Sequence, residues 1–118
     1  MKDYKKLLVW SKAHDLVLEV YKATAKFPKE EIFGLTSQII RSAGSIPANL
    51  AEGCGRNTDG ELYRYSCISM GSASELEYQL LLSKDLNYLS EETFTFLNEN
   101  LLEIKKMLNS FIQKVKIT

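Results

Sequence analysis

Apolar residues recur along this chain at helical spacing in four blocks, and no block alternates with the two-residue period of a half-buried strand. In the first block Leu7, Trp10, His14, Val17 and Tyr21 follow one another at intervals of three and four, with Ala13, Val20 and Thr24 widening the stripe. This predicts an amphipathic helix. It should end near Phe27-Pro28, because proline lacks an amide hydrogen and drives the residue before it out of the helical region. Gly34 allows the turn into a second block, where Leu35, Ile39, Ala43, Ile46 and Leu50 repeat in the same way. Pro47 lies inside that repeat, and its ring opposes the Ala43 carbonyl, so a kink is expected there. The block closes at Gly53-Cys54-Gly55, residues able to take a positive φ at a helix C-terminus.

A third helix should open at Thr58, whose hydroxyl can cap the Glu61 amide while the Glu61 side chain reaches back, and should last to about Asn87. Ser90 followed by Glu91 and Glu92 is a second start signal, an oxygen cap with two anions at the positive end of the helix dipole. Beyond it Phe94, Leu97, Leu101, Ile104, Leu108, Phe111 and Val115 give the cleanest periodicity in the chain. Four helices with short connections predict an all-α fold, an antiparallel up-down-up-down four-helix bundle, with residues 1–118 forming one domain.

Composition agrees with that reading. The chain has 118 residues, 45% of them hydrophobic and 25% charged, enough to bury about two-thirds of its unfolded surface without a metal or disulfide. The longest uncharged runs, such as Tyr65 to Ser74, fall short of the roughly 20 apolar residues that span a bilayer. No signal-peptide core forms near the N-terminus, so a cytoplasmic protein with no membrane contact is expected, with Cys54 and Cys67 as reduced thiols.

Catalytic chemistry is hard to assemble from these residues. Gly55 to Gly60 has the first spacing of a phosphate loop, but Glu61 and Leu62 follow where Lys and Ser or Thr are needed, and no strand precedes it. The single histidine, His14, has no Glu-x-x-His arrangement for a di-iron site and no identifiable partner for hydrolysis, and its place on the apolar stripe suggests a hydrogen-bonded packing residue. The expectation is a non-enzyme without cofactor or metal.

Helix three stands apart. Between Leu62 and Tyr88 only Arg64, Glu75, Glu77, Lys84 and Asp85 are charged. Leu62, Tyr65, Ser69, Ser72, Ala73, Leu76 and Leu80 form one stripe; Tyr63, Cys67, Met70, Ser74, Leu81 and Tyr88 form another on a different flank. One helix with two apolar flanks predicts self-association, with Tyr63, Cys67, Met70, Leu81 and Tyr88 as the oligomer interface. Small residues from Ser66 to Ser74 suggest close helix packing, their hydroxyls bonding carbonyls of their own helix. Arg41, Glu52 and Glu75, among apolar neighbours, are expected to form internal ion pairs.

Several of these segments also resemble a known family. Leu7 to Trp10 with Lys12-Ala13-His14, Phe27-Pro28, Gly34 to Gln38, Arg41-Ser42-Ala43, Ser45 to Gly53, Arg56, and Gly71-Ser72 with Glu75-Leu76 resemble the bacterial four-helix-bundle proteins encoded in ribosomal RNA intervening sequences, with Arg41, Asn49, Glu52, Gly53, Arg56, Ser72 and Glu75 matching the family motif. The resemblance implies a homopentamer similar to the accessory variability protein of diversity-generating retroelements, a relative that binds nucleic acid and a reverse transcriptase.

Charge sharpens the functional expectation. The chain is neutral, yet residues 1–29 hold seven lysines against three acids, residues 105–118 four lysines and no acid, and the stretch between twelve acids against four basic residues. In an up-down-up-down bundle Lys2, Lys5, Lys6 and Lys12 converge with Lys114, Lys116 and Arg56 at one end, while Glu30, Glu31, Asp85, Glu91 and Glu92 mark the other. In a ring of parallel copies those lysines form one rim, for which RNA or DNA phosphate is the natural ligand. The alternative is a protein-binding scaffold, for example for a reverse transcriptase, with no direct nucleic-acid contact.

Overall fold

A computed structural model describes residues 2–117. It consists of α1 (Leu8–Thr24), α2 (Leu35–Cys54), α3 (Asp59–Asp85) and α4 (Glu91–Ile117), with short 3-10 turns at Tyr4–Lys6 and Lys29–Glu31. No strand occurs among the described residues. α1 packs on α2 and α4, and α3 packs on α2 and α4, while the backbones of the diagonal pairs stay apart. The all-α particle measures 44 × 24 × 20 Å.

α1 opens after Leu7 with no side-chain cap, but the other three helix starts have a local cause. Thr58 Oγ1 accepts the Glu61 amide hydrogen at 3.1 Å, and Ser90 Oγ accepts that of Thr93 at 3.1 Å, so α3 and α4 begin where hydroxyl caps were expected. α2 begins differently. Its first residue, Leu35, donates its amide to Oε1 of Glu31 at 3.1 Å, and Oε2 of the same carboxylate accepts the Tyr88 hydroxyl at 2.9 Å. A Cβ at Gly34 would stand 2.7 Å from that Oε1, so glycine makes room for the borrowed cap.

Helix ends correct one expectation. α2 stops at Cys54 with Gly55 at φ −81°, and no described glycine has a positive φ. The left-handed turn belongs instead to Asn87, at φ 65° just past α3, a conformation that asparagine tolerates better than most side chains. Gly53 serves packing: a Cβ there would lie 3.0 Å from Cβ of Tyr65 and 3.1 Å from Cδ1 of Leu62. It lets α2 and α3 approach closely. α2 itself runs unbroken through the buried Pro47.

The core confirms the stripes of α2 and most of those of α4. Ile39, Ile46 and Leu50 are fully buried, as are Leu97, Leu101, Ile104 and Leu108. Ile112 takes the place expected of Phe111, which is half-buried. On α1 the buried line is Val9, Ala13, Leu16, Val20 and Thr24, with Leu7, Trp10 and Val17 half-buried beside it and His14 and Tyr21 exposed. The expected stripe is therefore rotated. Apolar residues occupy more than half of the circumference of α1, so periodicity bounds its orientation loosely and contact with α2 and α4 sets it. His14 is not a hydrogen-bonded core residue; it stacks on Trp10, ring centroids 5.1 Å apart and planes within 5°.

Contacts also fix which chain segments meet. The Lys2 amide donates to the Cys54 carbonyl at 2.9 Å, and Cys54, Leu62 and Val115 form a small cluster against which Tyr4, Leu7, Tyr63 and Phe111 pack. The chain start, the α2–α3 turn and the last turns of α4 thus share one region. Elsewhere, Phe27 lies 5.4 Å from the Tyr88 ring, joining the α1–α2 connection to the α3–α4 connection.

Candidate nucleic-acid interface

The seven cations expected to converge divide into two sets. Lys2, Lys5, Lys6, Lys114 and Lys116 are exposed and belong to the segments joined through Cys54 and Val115. None enters an ion pair among the described residues. Lys12 lies elsewhere: its Nζ sits 2.7 Å from Oε1 of Glu103, on the seam between α1 and α4. That hydrogen-bonded carboxylate holds the Lys12 ammonium above its ordinary pKa, and the Lys12 charge is already matched within the chain.

Arg56 stays in the region but is already engaged. Its Nη2 donates to the Tyr65 hydroxyl at 2.8 Å and its Nε to Glu52 at 3.1 Å. The Tyr65 phenol, then Glu52, hold its guanidinium further up than usual. Arg64 approaches the same Tyr65 ring, 5.2 Å from its centroid. Acids also intrude here: Asp3 accepts the Lys5 amide at 3.1 Å, and Asp59 and Glu61 open α3. Beside them a cavity of about 140 Å³ is lined by Lys2, Cys54, Arg56, Asn57 and Asp59. Burial pushes the Cys54 thiol up against the opposing pull of Lys2, which makes it a poor nucleophile. No group of three or more His, Cys, Asp or Glu side chains among the described residues is placed to hold a metal ion.

The residues of the second α3 stripe lie in different settings. Tyr63 and Met70 are half-buried against the core of their own chain, and the neighbouring Cys67 thiol raises the Tyr63 phenol above its ordinary range. Tyr88 lies beyond the end of α3, its ring on Phe27 and its hydroxyl on Glu31. Cys67 and Leu81 are exposed.

Arg41, Glu52 and Glu75 correct another expectation: all three are exposed, because the apolar neighbours in sequence lie on other faces of their helices. Glu52 pairs with Arg56 at 3.0 Å, while Arg41 and Glu75 enter no ion pair among the described residues. They face a shared groove of about 490 Å³ between α2 and α3, with Gln38, Ser42, Ser45 and Ser72. Further along α2, Asn49 Nδ2 donates to the Ser45 carbonyl at 2.8 Å. The motif residues Arg41, Asn49, Glu52, Gly53, Arg56, Ser72 and Glu75 thus follow the α2–α3 pair from the connecting turn to the groove at Arg41 and Glu75. Sequence spacing names the stripe but misses Tyr65 as the group that links Arg56 to α3.

A family model for the 23S rRNA-intervening sequence protein matches residues 5–110. The chain belongs to that family. Among curated proteins none matches it. A crystal structure of a protein with unknown function from the S23 ribosomal protein family of Bacteroides thetaiotaomicron VPI-5482 is similar at a TM-score of 0.83 and 26% identity, over 90% of this chain and 96% of that one. The shared fold therefore extends over nearly the whole of both chains. No helix among the described residues is long and apolar enough to cross a membrane.

Proposed function

We propose that this intervening-sequence protein is a non-enzymatic, cytoplasmic homo-oligomer of antiparallel up-down-up-down bundles that binds RNA or DNA phosphate through its lysine-rich end. One observation carries the reading. The Lys2–Cys54 backbone bond and the Cys54–Leu62–Val115 cluster bring the segments that carry Lys2, Lys5, Lys6, Lys114 and Lys116 to one region, and none of these lysines is paired with a carboxylate among the described residues. Unpaired ammonium groups gain most from phosphate, since no internal ion pair must break. Repetition in an oligomer, five copies by the family resemblance, multiplies the local potential although the chain is neutral.

The reading is tested by measuring affinity for single- and double-stranded RNA and DNA against salt. Affinity should fall linearly on a log–log plot, show little sequence preference, and lose slope when Lys5, Lys6, Lys114 and Lys116 become Gln. Lys12→Gln should leave the slope unchanged, because Glu103 already holds that charge. Absence of binding to every nucleic acid at low salt, with the oligomer intact, overturns it in favour of the protein-scaffold reading.

A further inference from the structure

A run of aromatic rings leaves the lysine-rich region along α1. Lys5 Nζ stands 5.9 Å from the Tyr4 ring centroid, the Tyr4 ring meets that of Trp10 edge-on at 4.9 Å, and Trp10 carries the His14 imidazole flat against it at 5.1 Å. The inner members are fixed: Tyr4 packs on the Cys54, Leu62 and Val115 cluster, and Trp10 on the main core. The outer member is exposed, and an imidazole parallel to Trp10 on one face turns its other face away. The Phe27–Tyr88 contact, by comparison, lies inside the chain, with Phe27 buried.

Helix geometry extends the line. Trp10, His14, Val17 and Tyr21 fall within about 60° of arc on α1, and Tyr21, 54% exposed, follows His14 by two turns, about 10 Å further along the axis. Asp15 and Glu19, the only acids of α1, lie off this arc and line the seam with α4. The aromatic line therefore starts among unpaired ammonium groups and continues without a carboxylate of its own helix in it. Rings already held in place by packing can accept a stacked base with little further ordering.

We infer that the nucleic acid held at the lysine-rich end is single-stranded, with its phosphates on Lys5 and the neighbouring lysines and its unpaired bases stacked along α1 on His14 and Tyr21. This rests on the nucleic-acid part of the proposed function and names the substrate class of that site. A duplex cannot use the line, because its base faces cover one another and leave only edges and phosphates to a protein. Every base has a π-face, so stacking adds affinity without sequence preference. Ammonium groups and rings then contribute separately, the first in a salt-dependent way and the second not.

The test titrates the full chain with oligo(dT), a duplex of the same length and inorganic polyphosphate, following affinity and the emission of Trp10, the single tryptophan. Oligo(dT) should bind more tightly than the duplex and quench Trp10, whereas polyphosphate, which has charge and no base, should bind without quenching. His14→Ala and Tyr21→Ala should each weaken oligo(dT) binding by roughly five- to hundredfold at an unchanged salt slope, and leave duplex and polyphosphate binding as they were. His14→Phe, which keeps a ring, should retain the wild-type affinity. Failure of both nucleic acids to bind at low salt overturns this inference together with the reading on which it rests. A duplex held as tightly as oligo(dT), or an oligo(dT) affinity indifferent to both ring deletions, overturns this inference only and leaves phosphate binding at the lysine-rich end standing.

Discussion

α3 and α4 are the same length, 27 residues each, and were built by opposite rules. α4 separates its chemistry on its inner side, where Leu97, Leu101, Ile104 and Leu108 are buried; Glu99, Glu103 and Lys106 face solvent together with Phe96 and Leu102. α3 mixes it. Ser66, Ser69 and Ser83 are fully buried while Ile68, Tyr78 and Leu81 are exposed. The buried hydroxyls are tolerated because each has an acceptor: Ser66 donates to the Leu62 carbonyl at 2.7 Å, Ser83 to that of Gln79 at 2.8 Å, and Ser69 crosses to the Ile46 carbonyl on α2 at 2.8 Å. Small buried side chains bring α3 close to α2, and the apolar surface that they do not supply inside appears outside.

Breaking the α4 side of that comparison should produce the largest effect. Leu101→Ala removes a fully buried side chain and should cost about 2–5 kcal/mol by urea denaturation, whereas Ile68→Ala on the outside of α3 should change subunit stability by less than about 0.5 kcal/mol. Comparable losses at the two positions would show that the outer face of α3 is part of the subunit core.

Gly53→Ala comes next, because its Cβ would press on Tyr65 and Leu62 at 3.0 and 3.1 Å; overpacking of this kind costs about 1–3 kcal/mol. Ser69→Ala deletes the bond that joins α3 to α2 and should cost about 1 kcal/mol. In the opposite direction, Gly71→Ala should stabilise the isolated subunit by about 0.5–1 kcal/mol, since its Cβ meets nothing. Loss of subunit stability in Gly71→Ala at concentrations too low for association would contradict the outward placement of that residue.

The smallest effect is a pH dependence where α3 gives way to α4. The Glu31 hydrogen bond raises the Tyr88 phenol above its ordinary value, so the folded chain holds that proton more tightly than the unfolded one. Its contribution is fully present below the ordinary phenol pKa of about 10 and is lost as the pH rises through the raised folded value. Urea midpoints of the wild type and of Tyr88→Phe should therefore differ at pH 8 and converge in alkali. A difference that stays constant across that range would remove the Glu31 bond from the account.

The helices were legible for local reasons. Thr58 and Ser90 cap where their chemistry allows, and heptad-like spacing in α2 and α4 names the buried line because polar, small or charged residues hold most of the remaining positions. α1 was read one face off: Leu8, Leu18 and Tyr21 are as apolar as Val9 and Leu16, and only the positions of α2 and α4 choose among them. The candidate site shows the same limit. Counting lysines located the basic segments, but the pairing of Lys12 depends on Glu103, ninety-one residues away, and the engagement of Arg56 depends on Tyr65 across a turn. Arg41, Glu52 and Glu75 were misjudged for a related reason, since neighbours in sequence are not neighbours around a helix.

By itself, then, the sequence determined that there are four helices, where α3 and α4 begin, and which residues of α2 and α4 face inward, because caps and periodicity act within a turn or two of the chain. Tertiary structure alone decided the rotation of α1, the borrowed Glu31 cap on α2, the glycine contact at Gly53 and the unmatched charges of Arg41 and Glu75. Each of these depends on where a second helix lies, and that position is set by the packing of all four helices together.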